Sequence, residues 1–409
     1  MTGGTPTRRP GRRGAGGPVP QAPVPSAPET GGLGTGAGSA AASGTAAGLI
    51  DWPAVDRLSA LVPPGPVVSR SSRAGVVAVL RRSAQESPAW IAEITGLRRA
   101  AGLVAAGTDV RVVDRRGLIR ASAAGLRALM EAVPAPPAGP GLRRAGAVEV
   151  AGALGLVSTR LLGQVLPTDP AAAPPPVAGG AQEGAPTARL LLVAPNVLQM
   201  RRRLDLDLLD LPAWVSLHET THAVQLAAAP WLMDYLTSRM RAVIAAVVGA
   251  IHGPGSGGGP SGSRWLRGAH AGAVLAGRSP SLEELVGRRD RRALTELSCA
   301  LTLLEGHAET VLDAVGPKRL PSVHRLRAVL SRARGDAIGV GPGPGSGSIL
   351  HRLVSLDAKE AQYADGAAFV RAVVTRVGHE GLNRVWALPR CLPTPAEIAR
   401  PDLWIERMG

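Results

Sequence analysis

The pentapeptide His218-Glu219-Thr220-Thr221-His222 constrains this chain more than any other stretch, because it reads H-E-x-x-H. If the segment is an α-helix, two histidines four residues apart lie one turn apart on the same face. With 8 His and 31 acidic residues in 409, about 0.01 chance matches are expected. On a helix both imidazoles can reach one Zn²⁺ at about 2.0–2.1 Å, and Glu219 can take a proton from water beside it.

The surrounding residues predict a helix over 212–228. Asp210 is a candidate N-cap, and Pro230 closes the segment. Two stripes run along this helix: Leu217, Val224 and Ala228 form an apolar one, and Trp214, His218, His222 and Gln225 form the other. We therefore expect a partly buried helix with a distinct polar face. The alternative is a helix whose two histidines only form hydrogen bonds.

A catalytic zinc site needs a third protein ligand, because such sites hold the metal with three side chains and leave one position to water. A second helical pattern over 293–315 offers Glu305, His307 and Glu309. Glu305 and His307 point about 200° apart on a helix, so both cannot face one metal. We prefer Glu305, and His307 or Glu309 remain alternatives.

The choice of Glu305 rests on a resemblance. The segment Glu305-Gly306-His307-Ala308 is similar to the Glu-Gly-x-Ala segment of gluzincin-type metallopeptidases. The resemblance implies that Glu305 ligates zinc and that Gly306 lets its helix lie close to the motif helix. The 82 residues between His222 and Glu305 are far more than the compact gluzincins have.

Further segments resemble the zincin-like metallopeptidase type 2 family of actinobacteria, which is often labelled as associated with biosynthesis of a deazaflavin coenzyme. The segments are 190–197, 214–219, 230–232, 304–309, 313–317, 361–363 and 369–374, with Asp51-Trp52 and 383–386 near the ends. The resemblance implies a mainly α fold with a small β element, the zincin-like metallopeptidase fold with its HExxH active-site helix.

The same resemblance implies a zinc-dependent peptidase with a peptide or protein substrate. One Zn²⁺ per chain would be held by His218, His222 and Glu305, with Glu219 as the catalytic base. The alternative is a non-catalytic zinc-containing binding or regulatory protein. Structural zinc usually takes four Cys-rich ligands and has no need of Glu219, so the sequence favours an enzyme.

Several tracts are too poor in large apolar residues to fold. Residues 1–47 are dominated by Gly, Ala, Pro and Arg, and we expect a disordered tail there. Low-complexity insertions are predicted near 167–187, 252–263 and 335–348. The remainder, 48–409, is then one zincin-like metallohydrolase domain.

The net charge of +15 does not indicate a nucleic-acid partner. Only two lysines occur, the arginines are spread through the chain, and no reader module accompanies them. We therefore expect no specific nucleic-acid binding.

Cys299 and Cys391 are far apart, which argues against a disulfide framework and against a Cys-based zinc site. The longest apolar run, 242–251, is about half of what a bilayer requires. We expect a cytoplasmic protein without membrane contact, and the sequence carries no signal for an oligomeric state.

The predicted elements are mostly helices. They cover 51–61, 72–84, 89–103, 122–132, 148–165, 212–228, 231–248, 281–286, 293–315, 323–334, 348–354, 358–377 and 382–388. The segment 189–194 is the clearest strand. By analogy with zincins we expect it to be an edge strand above the substrate cleft.

Overall fold

The computed structural model describes residues 1, 3, 44–167, 188–252, 286, 290–335 and 361–409. The described residues from 44 onwards belong to one compact unit, residues 41–409. The three predicted insertions lie outside the described residues except for their first residues. The helices predicted at 281–286 and 348–354 also lie outside, apart from Val286.

Helices make up most of the described chain. They are α1 (Trp52–Ser59), α2 (Arg70–Thr95), α3 (Arg98–Gly107), α4 (Arg115–Glu131), α5 (Pro140–Ser158), α6 (Ala194–Leu204), α7 (Asp210–Ala228), α8 (Leu232–His252), α9 (Arg291–Ala314), α10 (Val323–Gly335), α11 (Ala361–Leu382), α12 (Pro395–Ala399) and α13 (Pro401–Met408). The strands are β1 (Gly44–Thr45), β2 (Asp109–Val113), β3 (Pro134–Ala135), β4 (Gly163–Pro167) and β5 (Ala188–Val193). The expected mainly α fold with a small β element is confirmed.

The larger sheet has three strands in the order β2-β5-β4. β5 pairs parallel with β2 and antiparallel with β4, with Gly163 opposite Leu192. The predicted strand at 189–194 is therefore real, but its predicted edge position is wrong, because β5 has a neighbour on each side. β4 occupies an edge of this sheet within the described residues, and it contacts α7.

The helix that carries the H-E-x-x-H motif, α7, lies in the centre of the fold. It is packed by α2, α3, α9, β4 and β5. From Asp210 to Gln225 every residue is buried except His218 and His222, which are partly exposed. The sequence predicted a partly buried helix with a polar face, and α7 is more deeply buried than that. The polar side chains of α7 face the protein interior and need partners there.

Asp207, rather than Asp210, caps the start of α7. Its Oδ1 accepts hydrogen bonds from the N–H groups of Leu209 at 2.7 Å and Asp210 at 2.9 Å. These bonds lower the pKa of the Asp207 carboxyl. The expected N-cap role of Asp210 is wrong. Its carboxylate instead accepts from the N–H and the hydroxyl of Ser322, both at 2.6 Å, and so ties α7 to the segment before α10.

α9 and α11 cross so closely that both helices need glycine at the contact. A Cβ on Gly306 would lie 2.2 Å from the carbonyl carbon of Gly366, and a Cβ on Gly366 would lie 2.3 Å from the oxygen of Thr302. The expectation that Gly306 serves an approach to the motif helix is therefore wrong, since this glycine serves the contact with α11. Because Glu305 precedes Gly306, the crossing also fixes the position of Glu305 along the axis of α9.

Several elements differ from the sequence prediction. α4 begins at Arg115 instead of 122, α5 begins at Pro140 instead of 148, and β2 and α6 were not predicted. α2 continues through the predicted break at 85–88, with Pro88 inside it. Its buried face packs on α7, and the hydroxyl of Ser216 donates to the carbonyl of Leu80 at 3.2 Å. The helix predicted at 148–165 ends at Ser158, and β4 follows it.

The predicted tail boundary at residue 47 lies slightly too far along the chain. Gly44–Thr45 pair with β3, and the N–H of Ala46 donates to the carbonyl of Val133 at 2.7 Å. Ala46 and Ala47 are buried, at 0% and 7% exposure. Residues 44–47 therefore belong to the folded domain, and only the stretch before them can be a tail.

We expect deletion of residues 1–43 to leave the melting temperature unchanged, because their composition cannot support a packed core. Deletion of residues 1–47 is the matched control and should lower the melting temperature by at least about 2 °C, because it removes two buried alanines and the β1–β3 pairing. Calorimetry on both truncations checks this. An equal effect of the two deletions would contradict the boundary.

Gly306→Ala should destabilise the protein by at least about 2 kcal/mol, since the new methyl group overlaps the backbone of α11. Gly125→Ala on α4 is the control, because a Cβ there meets nothing within 4 Å. That control should gain about 0.5–1 kcal/mol from helix propensity. Denaturant unfolding measures both. If Gly306→Ala were as stable as Gly125→Ala, the close crossing would be wrong.

Candidate metal centre

Three side chains from two helices converge in the interior. His218 and His222 on α7 bring their Nε2 atoms to 3.2 Å from each other. Glu305 on α9 faces both, with Oε2 3.5 Å from His218 Nε2 and Oε1 3.5 Å from His222 Nε2. Among the described residues, these three form the cluster able to hold a metal ion, with donor atoms within 4.8 Å of one another.

The donor set fits a zinc ion. Tetrahedral zinc at about 2.0–2.1 Å from its ligands separates the ligand atoms by roughly 3.3 Å. The 3.2 Å between the two Nε2 atoms lies close to this value, and each Nε2 has a different oxygen of Glu305 at 3.5 Å. With one donor atom taken from each residue, the three atoms lie within 4.8 Å of one another. Two imidazoles and one carboxylate are also ligands that zinc prefers, and three protein ligands leave one position open.

The centre is buried but not sealed. The side chains of His218, His222 and Glu305 are 12%, 14% and 9% exposed. Burial alone would lower the pKa of His218, but the hydrogen bond and the charge of Glu305 outweigh it, so this pKa is raised. Burial lowers the pKa of His222. Solvent therefore reaches a site whose imidazoles experience different electrostatic environments.

Glu219 lies beside the three donors and is buried. Burial raises the pKa of its carboxyl to about 7, which neighbouring Glu305 raises and His218 lowers. The backbone of β4 runs directly against it: a Cβ on Gly163 would lie 2.5 Å from Cγ of Glu219 and 2.8 Å from Cδ. Gly163 therefore leaves the space that the Glu219 side chain occupies.

A buried amide connects the two helices behind the site. Gln225, on α7, accepts at Oε1 from Nδ1 of His222 at 2.9 Å. Its Nε2 donates to the carbonyl of Leu304 and to Nδ1 of His307, both at 2.9 Å. His307 is fully buried, and burial lowers its pKa to about 3, so its imidazole is neutral.

Of the three candidates for a third ligand, the structure brings Glu305 next to the imidazoles. His307 contacts Gln225 and the ring of Trp386, with centroids 5.3 Å apart. Glu309 lies outside the cluster of donor atoms, although its charge raises the pKa of His218.

Sequence reasoning missed the roles of Gly163 and Gln225. Gln225 lies on the same predicted stripe as His218 and His222, and this placement was the available signal. Gly163 gave no signal, because its proximity to Glu219 depends on the pairing of β4 with β5.

Comparison with known proteins identifies a family. Residues 50–405 match the family described as Zincin-like metallopeptidase. The chain belongs to this family. Membership indicates a hydrolase and implies a bound metal, for which the cluster of His218, His222 and Glu305 is the candidate site.

A solved structure from Chloroflexus aurantiacus, described as a "putative hydrolase with a novel fold", shares the fold. The TM-score is 0.55 at 24% identity, and the match covers 88% of this chain and 98% of that chain. No curated protein matches this chain. Within the described residues, every helix is too short or too polar to cross a membrane.

Proposed function

We propose that this zincin-like metallopeptidase hydrolyses peptide bonds with one zinc ion per chain, held by His218, His222 and Glu305. The observation that carries the proposal is the convergence, from two packed helices, of two Nε2 atoms 3.2 Å apart and one carboxylate whose two oxygens each lie 3.5 Å from one of them. The partial exposure of both imidazoles supports a site that water can enter. Three protein ligands, rather than four, are typical of catalytic zinc.

The zinc ion, when bound, supplies Lewis-acid polarisation of the scissile carbonyl and lowers the pKa of the water it holds toward about 7. Glu219 removes a proton from the attacking water and later returns it to the leaving amine. Burial of Glu219 shields its carboxylate from bulk solvent. The close contact with Gly163 confines this side chain to a narrow space beside the donor atoms. His218 and His222 would hold the metal through Nε2, and Glu305 would contribute the negative charge.

The substrate proposed is an extended peptide or protein segment that pairs with β4. This strand is at the sheet edge within the described residues, and its first residue, Gly163, lies against Glu219. Main-chain hydrogen bonding to an edge strand is a general way of holding an extended peptide. A peptide bound there would pass beside the proposed base.

Zinc content should follow the three proposed ligands. We expect about one zinc per wild-type chain by metal mass spectrometry, and loss of most of it in Glu305→Ala or in the double variant His218→Ala/His222→Ala. Removal of zinc by a chelator should lower the melting temperature of the wild type, because ligand binding stabilises the folded state.

His307→Ala is the control for that experiment. It removes an imidazole from the same helix as Glu305 but no proposed ligand, so zinc should remain at saturating concentration. Loss of zinc in His307→Ala with retention in Glu305→Ala would contradict the ligand set. Stoichiometric zinc in the double histidine variant would contradict the whole site.

Turnover should require Glu219, whereas zinc binding should not. Glu219→Gln keeps the side-chain shape but cannot accept a proton, so zinc content should stay and turnover should fall at least about 100-fold. A library of quenched fluorescent peptides serves as the substrate. Unchanged turnover in Glu219→Gln would refute the assignment, and full zinc without any turnover in the wild type would favour the non-catalytic alternative.

Gly163→Ala should also keep zinc and lose turnover, because its methyl group displaces the Glu219 side chain. Gly152→Ala on α5 is the matched control, since a Cβ there meets nothing within 4 Å. Peptide cleavage by the two variants is compared at equal zinc content. Full activity in Gly163→Ala would contradict the placement of Glu219 under β4.

A further inference from the structure

Gln225 is the buried polar residue that links the two helices of the candidate site. It follows His222 by three residues on α7 and is 0% exposed. Its three hydrogen bonds, each 2.9 Å long, reach His222, Leu304 and His307. Two of these partners flank Glu305 on α9. The side chain of Gln225 therefore contacts the proposed ligand His222 on α7. On α9 it contacts residues on both sides of the proposed ligand Glu305.

The partner at Leu304 fixes the orientation of the amide. A backbone carbonyl can only accept a hydrogen bond, so the NH₂ group of Gln225 must face Leu304. The amide oxygen then faces Nδ1 of His222. Because this oxygen can only accept, Nδ1 of His222 must carry the hydrogen.

The tautomer of His222 follows from this orientation. A neutral imidazole with hydrogen on Nδ1 has its lone pair on Nε2. Nε2 is the atom that faces His218 and Glu305, at 3.2 and 3.5 Å. The lone pair of His222 thus points to the position a metal would take.

His307 completes the arrangement. The second N–H of the Gln225 amide points to Nδ1 of His307, which must therefore accept. The hydrogen of His307 is then on Nε2, which is buried without a hydrogen-bond partner among the described residues. The rings of His307 and Trp386 pack with centroids 5.3 Å apart and planes 69° apart, which holds the imidazole in place. Without His307, one N–H of a fully buried amide would lack its partner, and the amide would be held less firmly.

We propose that Gln225 is a positioning residue of the metal centre. It holds His222 in its Nδ1–H form, and it keeps α9 in the position along α7 at which Glu305 faces the two imidazoles. His307 acts on the same side chain by holding its amide in one orientation. The inference rests on the proposed function for the identity of the metal. The tautomer itself belongs to the metal-free protein, so it can be tested separately.

Long-range ¹H–¹⁵N correlation spectra of zinc-free, ¹⁵N-labelled protein at mildly alkaline pH report which nitrogen of each imidazole carries hydrogen. We expect the His222 signal, assigned by its loss in His222→Ala, to show the Nδ1–H form. Free imidazole side chains favour the Nε2–H form, so a general burial effect would not produce this result. A His222 in the Nε2–H form would overturn the proposal.

Zinc affinity, measured by competition with a chelator of known affinity, tests the consequence. Gln225→Leu should weaken zinc binding by about 10–100-fold, the usual effect of losing a partner of a ligating histidine. Its His222 should shift toward the Nε2–H form. Thr221→Val is the matched control: it removes a buried 2.8 Å hydrogen bond from the same helix, to Leu217, and should leave zinc affinity unchanged.

Gln225→Glu is the conservative variant. A carboxylate also accepts from Nδ1 of His222, so it should restore the Nδ1–H form. It cannot donate to Leu304 and His307 as the amide does, so its zinc affinity should lie between those of the wild type and Gln225→Leu. If Gln225→Leu does not fold, the tautomers of the wild type and of Gln225→Glu decide the question.

The outcomes separate the two proposals. A wild type that fails to bind zinc contradicts the proposed function, while the tautomer of His222 still judges the role of Gln225. A wild type that binds zinc with the same affinity as Gln225→Leu contradicts the role of Gln225 and leaves the proposed function standing.

Discussion

The burial of polar side chains where α7 meets α9 is the constraint on which the rest of the structure depends. His307, Gln225, Glu219 and Glu305 are all buried there. A buried carboxylate or amide costs several kcal/mol unless partners compensate for its lost hydration. The amide of Gln225 has three partners, and Glu305 lies opposite two imidazoles. A divalent cation between the three donor atoms would compensate for the rest of the lost hydration energy. Metal binding would therefore be coupled to folding.

The close crossing of α9 and α11 makes that arrangement rigid. Gly306 and Gly366 bring the two backbones into contact, so α9 has little freedom to slide. Asp210 anchors the other helix through its two bonds to Ser322. The position of Glu305 along α9 relative to His218 on α7 is thus set by backbone contacts and hydrogen bonds, not by flexible side chains. A site held in this way needs little rearrangement when it binds a ligand.

The local features of the site could be predicted from the sequence. The spacing of the two histidines requires a helix, and the structure has α7 from Asp210 to Ala228, within two residues of the predicted start. The apolar run at 189–194 predicts a strand that the structure contains. Glu305 followed by glycine, read through the gluzincin resemblance, singled out the carboxylate that lies beside both imidazoles.

Several of the features that sequence reasoning missed depend on contacts distant along the chain. Pro88 suggests a helix break, yet packing against α7 keeps α2 continuous. β4 is short and ends in proline, and its pairing with β5 alone makes it a strand. The edge position was therefore given to β5 instead of β4. The role of Gln225 needs Leu304 and His307, which are about 80 residues away in sequence.

The claim that two helices of the core together form one zinc site is tested most directly by anomalous diffraction at the zinc edge from crystals of the zinc-loaded protein. Our account predicts a single peak at about 2.0–2.2 Å from Nε2 of His218, Nε2 of His222 and a carboxylate oxygen of Glu305. A peak coordinated by His307 in place of Glu305, or strong zinc density away from α7, would contradict it.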